Sequence, residues 1–411
     1  MTIDILNAEL EKFPVMITDI PGKGRGIITK SDIFTGTVLL REKPEILVLA
    51  DKNIINVIEV ALLQLIGMPQ DVFSKVLKKL SCMYPTNQRN CKSDPTKYVN
   101  KSEADMLNFM LDQIIDNNII PLDKMIIIKN IMGLASDSAN ILLLLVILRL
   151  TMIGIFDEWE TEKEGEALVV LTSFINHSCY PNSSLFFHPV TYECEIRAIR
   201  DIAKGEEIFF TYIALYQYTE ERQHDLMYNY GFLCDCPRCI NDPSCPSKLD
   251  LTPQIIQKHL SDKQEDDKLY FLEQLYHESE NQYYTEYMSG DNKHFESIKM
   301  AKKWLNHAKD FYAPLHPHAF KITEFLGRVY AESGEYKKSL KYFEKTVQIM
   351  DMIFPEFWFR KSCALGCLGR LYRHFNQIEK AQRIENRRRQ LLLTVRGRED
   401  WDDGNDEVCN I

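Results

Sequence analysis

Three cysteines within six residues, Cys234-Asp235-Cys236-Pro237-Arg238-Cys239, leave a chain few ways to fold around them. A tight loop of this spacing can turn three thiolates toward one ion. Zinc takes four tetrahedral sulfur or nitrogen ligands, so the fourth must come from elsewhere. From the residues alone, Cys179, Cys194 and Cys245 are all candidates. The chain holds eleven cysteines, and its opening stretch, MTIDILNAELEKF, lacks the basic-then-apolar pattern of a secretory leader. A reduced setting, cytoplasmic or nuclear, is therefore expected, and there clustered thiols point to metal before disulfides.

The rest of the 411 residues divides by pattern. Residues 15–50 carry β-branched runs broken by Gly and Pro, which predicts hairpins. Residues 51–150 switch to apolar segments at helical spacing, with a polar stretch from Tyr84 to Ser102 read as a loop. The run ILLLLVIL, residues 141–148, stops at Arg149 and is too short to span a bilayer. It reads as a buried core helix, and no membrane association is expected. Residues 165–215 return to strand-like runs, with CEIRAI and EIFFTYI flanking the turn Asp201 to Gly205. The net charge of −10 argues against direct nucleic-acid binding, which needs a basic face. It leaves room for a basic protein partner.

The last part repeats itself. Gly327-Arg328-Val329-Tyr330 recurs as Gly369-Arg370-Leu371-Tyr372, an offset of 42. At the same offset Ser297, Ser339 and Ala381 line up, small residues suited to a helix crossing. This is the pattern of stacked antiparallel helix pairs, similar to tetratricopeptide (TPR) repeats with a longer period. The basic run Arg383 to Arg389 reads as the solvated face of a late helix.

The segment Asn176-His177-Ser178-Cys179-Tyr180-Pro181-Asn182 combines an amide, an imidazole and a thiol before a Pro-Asn turn. Alone, such residues commonly satisfy backbone groups in turns. Together with three other motifs, in order, they resemble the SET-domain lysine methyltransferases, most closely the SET- and MYND-domain (SMYD) group. The other motifs are Gly22-Lys23-Gly24-Arg25-Gly26, Gly205-Glu206-Glu207-Ile208 running to Tyr212, and Tyr230-Gly231-Phe232 with the cysteine cluster.

The resemblance implies an α+β fold, a SET-domain β-fold with a helical insert and a post-SET zinc cluster, plus a C-terminal α-helical TPR-like domain. Its boundaries would be 1–50 for the N-terminal part of SET, 51–164 for the helical insert, 165–215 for the core, 216–248 for the zinc segment and 249–411 for the repeats. It implies S-adenosylmethionine and zinc as cofactors and a protein substrate presenting a lysine. Gly24, Arg25 and Gly26 would approach the cofactor, with Lys23 or Arg25 near its carboxylate. Asn176 and His177 would contact its amino group and adenine, and Tyr230 and Phe232 would stack near it. Tyr212 and Tyr230 would line the lysine channel as the catalytic pair. Cys179 would join Cys234, Cys236 and Cys239 on zinc.

Two departures stand out. Residues 51–100 hold only Cys82 and Cys91 and no histidine, so the MYND zinc finger is expected to be missing. An asparagine that the family often has upstream of the central motif is matched here by Thr151, in Leu150 to Phe156. A second function therefore stays open, a catalytically weak SET-fold adaptor that binds protein partners through its helical repeats.

Overall fold

Gly22 and Gly24 adopt φ angles of 77° and 81°, which glycine enters without a Cβ penalty. They turn the chain from strand β1 (Val15–Ile20) into β2 (Gly24–Thr29), paired antiparallel from Val15 opposite Thr29 to Ile20 opposite Gly24. Val15 and Ile17 go into the core and Met16 stays exposed, the period-two alternation of a half-buried strand. A short helix, α1 (Ile3–Glu9), precedes the hairpin. Its Asn7 side chain pairs with both backbone groups of Ile17, at 3.1 and 2.8 Å, as a neighbouring strand would.

The computed structural model describes residues 3–50, 56–83, 94–156, 163–215, 217, 219–240, 278–279, 281–290, 293–311 and 317–397. Two units divide the chain: Met1–Ile213 with Glu220–Cys234, and Ala214–Thr219 with Asp235–Ile411.

In the first unit the remaining strands make three more small sheets. Strand β9 (Cys194–Ala198) lies between β3 (Val38–Glu42) and β8 (Ser183–Phe187), antiparallel to both. Strand β6 (Lys163–Leu168) lies between β4 (Ile46–Leu49) and β5 (Met152–Phe156). The runs that flank the 201–205 turn do not pair with each other. Both edges of β9 are already filled, so the second run contributes only β10 (Phe209–Phe210), parallel to β7 (Asn176–His177).

The insert is helical: α2 (Val57–Gly67), α3 (Gln70–Leu80), α4 (Lys101–Asp116), α5 (Leu122–Met132) and α6 (Asp137–Thr151). Asn56, Asn100 and Ser136 cap α2, α4 and α6 by accepting from free N–H groups of the first turn. In α6, Ile141 and Leu143 through Leu148 are buried, so the apolar run is a core helix. Among the described residues no single helix is long and apolar enough to cross a membrane. The stretch read as a loop contains a short 3₁₀ turn, Pro95–Tyr98, and its residues 84–93, with Cys91, lie outside the described residues.

In the second unit the described chain is helical: α8 (Phe295–Phe311), α9 (Pro317–Glu332), α10 (Tyr336–Ile353), α11 (Lys361–His374) and α12 (Ile378–Arg396). (Helix α7, Thr219–Tyr230, precedes these in the chain.) The offset of 42 is written into the backbone. Gly334 and Asn376 both take positive φ, 72° and 56°, in the turns after α9 and α11. Glu335 N donates to Tyr330 O, and Gln377 N to Tyr372 O, each at 2.8 Å. Lys338 sits over the Tyr330 ring and Lys380 over the Tyr372 ring, each at 5.2 Å. Ser297, Ser339 and Ala381 are all buried, and the Ser339 hydroxyl donates to Gly327 O at 2.7 Å. The basic run on α12 is not wholly solvated. Arg387 pairs with Asp351 and Glu356, and the Arg388 guanidinium lies over Gly366.

Candidate functional site

The loop after β7 is nailed down by one side chain. Asn182 is buried, donates to Glu207 O at 2.8 Å and Glu206 Oε1 at 3.2 Å, and accepts from Phe209 N at 2.8 Å. Ser178 N donates to Phe210 O, and the Ser178 hydroxyl accepts from Tyr180 N, closing the turn. The segments 176–182 and 206–212 are thus held side by side, as β7 and β10 require.

On this platform Asn176 faces the glycine hairpin. Its Nδ2 donates to Arg25 O at 3.0 Å and to Glu207 Oε1 at 2.7 Å. Gly26 lies against this pair. A Cβ there would stand 2.6 Å from Glu207 Oε1 and 2.9 Å from Asn176 Nδ2, so only glycine fits. Lys23 Nζ is 3.8 Å from Glu207 Oε2 and sits over the Phe209 ring. The Arg25 side chain turns away to the Cys82 carbonyl at the end of α3. Gly24, Gly26, Lys23 and Asn176 therefore come together, while Arg25 contributes its backbone.

His177 is buried, and its Nδ1 accepts from Tyr212 N at 3.0 Å. Around it stands a group of rings. Tyr212 lies 4.9 Å from Tyr230, 5.1 Å from Phe210 and 5.4 Å from His177, and Phe232 lies 6.1 Å from His177. The Tyr212 hydroxyl donates to Ile175 O at 2.7 Å, which fixes the ring. Burial, then the Tyr230 phenol and the Glu207 carboxylate, push its pKa well above the ordinary phenol value. Burial also raises Tyr230. Both stay neutral phenols within this half-buried group of rings.

The cysteines gather. The sulfurs of Cys179, Cys234, Cys236 and Cys239 all lie within 4.8 Å of one another. Four thiols at this spacing are a donor set compatible with zinc. Of the other fourth-ligand candidates, Cys194 is buried in β9, its Sγ 3.5 Å from the Thr172 hydroxyl, and Cys245 lies outside the described residues. Helix α7 (Thr219–Tyr230) supports the cluster. The Gln223 amide pairs with both backbone groups of Cys234, at 2.7 and 2.6 Å. Arg238, between two of the cysteines, donates to Leu215 O at 2.8 Å.

Thr151, the departure at the upstream asparagine position, is the last residue of α6 and is buried. Its hydroxyl bonds back to Ile147 O. Sequence reading did not single out Glu207, Gln223 or Glu42 as site residues. Glu42 accepts from Leu171 N and Thr172 N and so anchors the turn that leads into β7. Carboxylates and amides are ordinary at strand ends and on helices. The one usable signal was Glu207's place inside a motif already marked.

The chain's likenesses agree with this geometry. Residues 24–213 match the family model described as SET domain. N-lysine methyltransferase SMYD2-A of Xenopus laevis is 35% identical over 116 residues, 28% of this chain and 26% of that protein. Human histone-lysine N-methyltransferase SMYD3 is 40% identical over 80 residues, 20% of this chain and 18% of that one. The match thus spans about a quarter or less of these relatives' lengths. Among solved structures, Rubisco LSMT bound to AdoMet is similar over 57% of each chain at 13% identity, with a TM-score of 0.35, too loose to bear on the site. The paired Asn-His strand and strand β2 of the glycine hairpin both lie within the matched residues. Residues 24–213 are thus similar to a SET domain, and shorter stretches of the chain are similar to SMYD methyltransferases.

Proposed function

We propose that this chain is an S-adenosylmethionine-dependent protein-lysine N-methyltransferase. One observation carries the reading: the Gly26–Asn176 contact stands beside the neutral aromatic box of Tyr212, Tyr230, Phe210 and Phe232. When bound, S-adenosylmethionine supplies an activated methyl group. The chain's residues do the rest. Asn176 and His177 hold the amino and adenine ends, Lys23 meets the carboxylate, the backbone of Gly24 to Gly26 allows close approach, and Phe232 stacks near the ligand. Tyr212 and Tyr230 line the lysine channel, exclude water and align the amine. A dry channel also favours the neutral amine, so the incoming lysine would release its proton to bulk water as it enters.

Cys179, Cys234, Cys236 and Cys239 would hold one zinc, closing the post-SET segment onto the Asn-His strand. The protein substrate presents a lysine, on a histone or another protein, in the cytoplasm or nucleus. The helix pairs of the second unit, TPR-like in pattern, would receive a further protein partner. Their repeated turn geometry favours that role, and on its own it would suit a catalytically weak SET-fold adaptor.

The test has two stages. The zinc-loaded protein is titrated calorimetrically with S-adenosylhomocysteine, and binding should disappear in Asn176→Ala. Turnover is then sought on lysine-bearing proteins, with Tyr212→Phe as the inactive control. Binding without turnover on any substrate would leave the adaptor reading in the lead, and no binding by a folded protein would sink the enzyme reading.

A further inference from the structure

We propose that Glu207 sets the orientation of the Asn176 side-chain amide, so that its carbonyl oxygen is the group presented to a ligand ammonium. This rests on the cofactor reading above and adds a positioning residue to it.

An amide has two N–H donors and one carbonyl acceptor. Both Asn176 donors are used, one on Arg25 O at 3.0 Å and one on Glu207 Oε1 at 2.7 Å. Neither partner can donate: one is a backbone carbonyl and the other a carboxylate. Rotating the amide by half a turn would set Asn176 Oδ1 against two oxygen lone pairs. The network therefore fixes which end is which. Among the described residues nothing donates to Oδ1, which remains an acceptor with its dipole aligned by Glu207. An acceptor suits the ammonium of an amino-acid ligand and repels its carboxylate.

Gly26 belongs to the same device. The Glu207–Asn176 hydrogen bond occupies the space a Cβ at 26 would fill, with contacts of 2.6 and 2.9 Å. Glu207 is itself held in place, its side chain largely buried and its second oxygen 3.8 Å from Lys23 Nζ. The glycine, the carboxylate and the amide are thus parts of one arrangement rather than three separate motif residues.

The experiment is calorimetric titration of the full chain with two ligands. One is S-adenosylhomocysteine; the other is its deaminated analogue, which keeps the carboxylate, sulfur and adenosine. Two variants are compared with the parent. Glu207→Gln gives Asn176 a partner that can either donate or accept, so only the Arg25 carbonyl still holds the orientation. Glu207→Asp keeps the charge but shortens the reach. Hydrogen bonds to charged groups are worth enough that S-adenosylhomocysteine should bind about tenfold more weakly in both variants. The deaminated analogue should bind all three proteins alike. Equal weakening for both ligands would mean a structural role, and full affinity in Glu207→Asp would mean that charge alone matters; either overturns the assignment. Should Glu207→Gln fail to fold, Glu207→Asp carries the comparison. A folded parent that binds neither ligand overturns the cofactor reading, a result distinct from unequal variants.

Discussion

His177 Nε2 lies 3.1 Å from the Sγ of Cys179, while the other nitrogen of the same ring accepts the backbone N–H of Tyr212. One imidazole therefore touches the cysteine cluster and the segment after β10 that carries Tyr212 at once. Because Nδ1 accepts, the neutral ring carries its proton on Nε2 and donates to sulfur, as partners around a metal thiolate do.

His177→Ala should weaken zinc binding by about tenfold or more, the usual effect of removing a group that supports a ligand. Competition with a chromophoric chelator measures it. Unchanged zinc affinity would show that the 3.1 Å contact does not support the metal. Loading the cluster with the proposed zinc and then removing it should in turn shift the amide resonance of Tyr212.

Glu42 predicts a pH dependence of stability. Burial pushes its pKa from 4.5 up to about 7, against the opposing pull of Thr172 and Leu171. Between those values the folded chain holds a proton that the unfolded chain has released, so stability falls as pH rises through the window. The full effect is about 3 kcal/mol by the free-energy equivalent of a pKa shift. Urea midpoints from pH 4.5 to 7 should slope downward in the parent and flatten in Glu42→Gln.

Gly26→Ala should both destabilise the first unit and remove ligand binding. Its new methyl meets a carboxylate and an amide that hold each other, so neither can yield alone. Overpacking of this kind costs about 1–3 kcal/mol. Thermal unfolding and calorimetric titration together check it; a variant with parental affinity would show that the hairpin gives way instead.

The repeat offers a paired comparison. A methyl at Gly327 would stand 2.9 Å from the buried ring of Phe343, whereas one at Gly369 meets the Glu385 side chain at 3.2 Å and Ile384 at 3.7 Å. Gly327→Ala should therefore destabilise the second unit by about 1–3 kcal/mol. Gly369→Ala should be neutral or slightly stabilising, since alanine favours the helix. Chemical denaturation of both variants would reveal any reversal of this order.

What could be read from the sequence followed from periodicity. The β1–β2 hairpin, the buried 141–148 helix and the offset of 42 each extend over enough residues to carry a pattern. Strands β7 and β10 have two residues each, too few for any alternation, so their parallel pairing was hidden although both motifs were marked. The 7-residue helix α1 escaped for the same reason. At the site, Lys23, Gly26 and Asn176 are adjacent as the motifs suggested. The turning of Arg25 toward Cys82 depends on where α3 ends, which no local pattern encodes. Glu207 and Gln223 act by pairing with a partner remote in sequence or on another element, and their residue types alone do not announce it.

The hydrogen bond from Asn176 to Arg25 joins positions 151 residues apart, with all five insert helices strung between its ends. Closing a loop grows costlier only with the logarithm of its length, about 0.6 kcal/mol for each doubling. Once the two ends are clasped, the site is almost indifferent to how much chain lies between them. Length is therefore nearly free, but packing is not: insert residues such as Leu62 and Leu145 share one buried core with Leu39 and Ile46 of the strands. A chimera carrying a different helical insert should keep the pocket only where the new helices refill that core and return a carbonyl to Arg25.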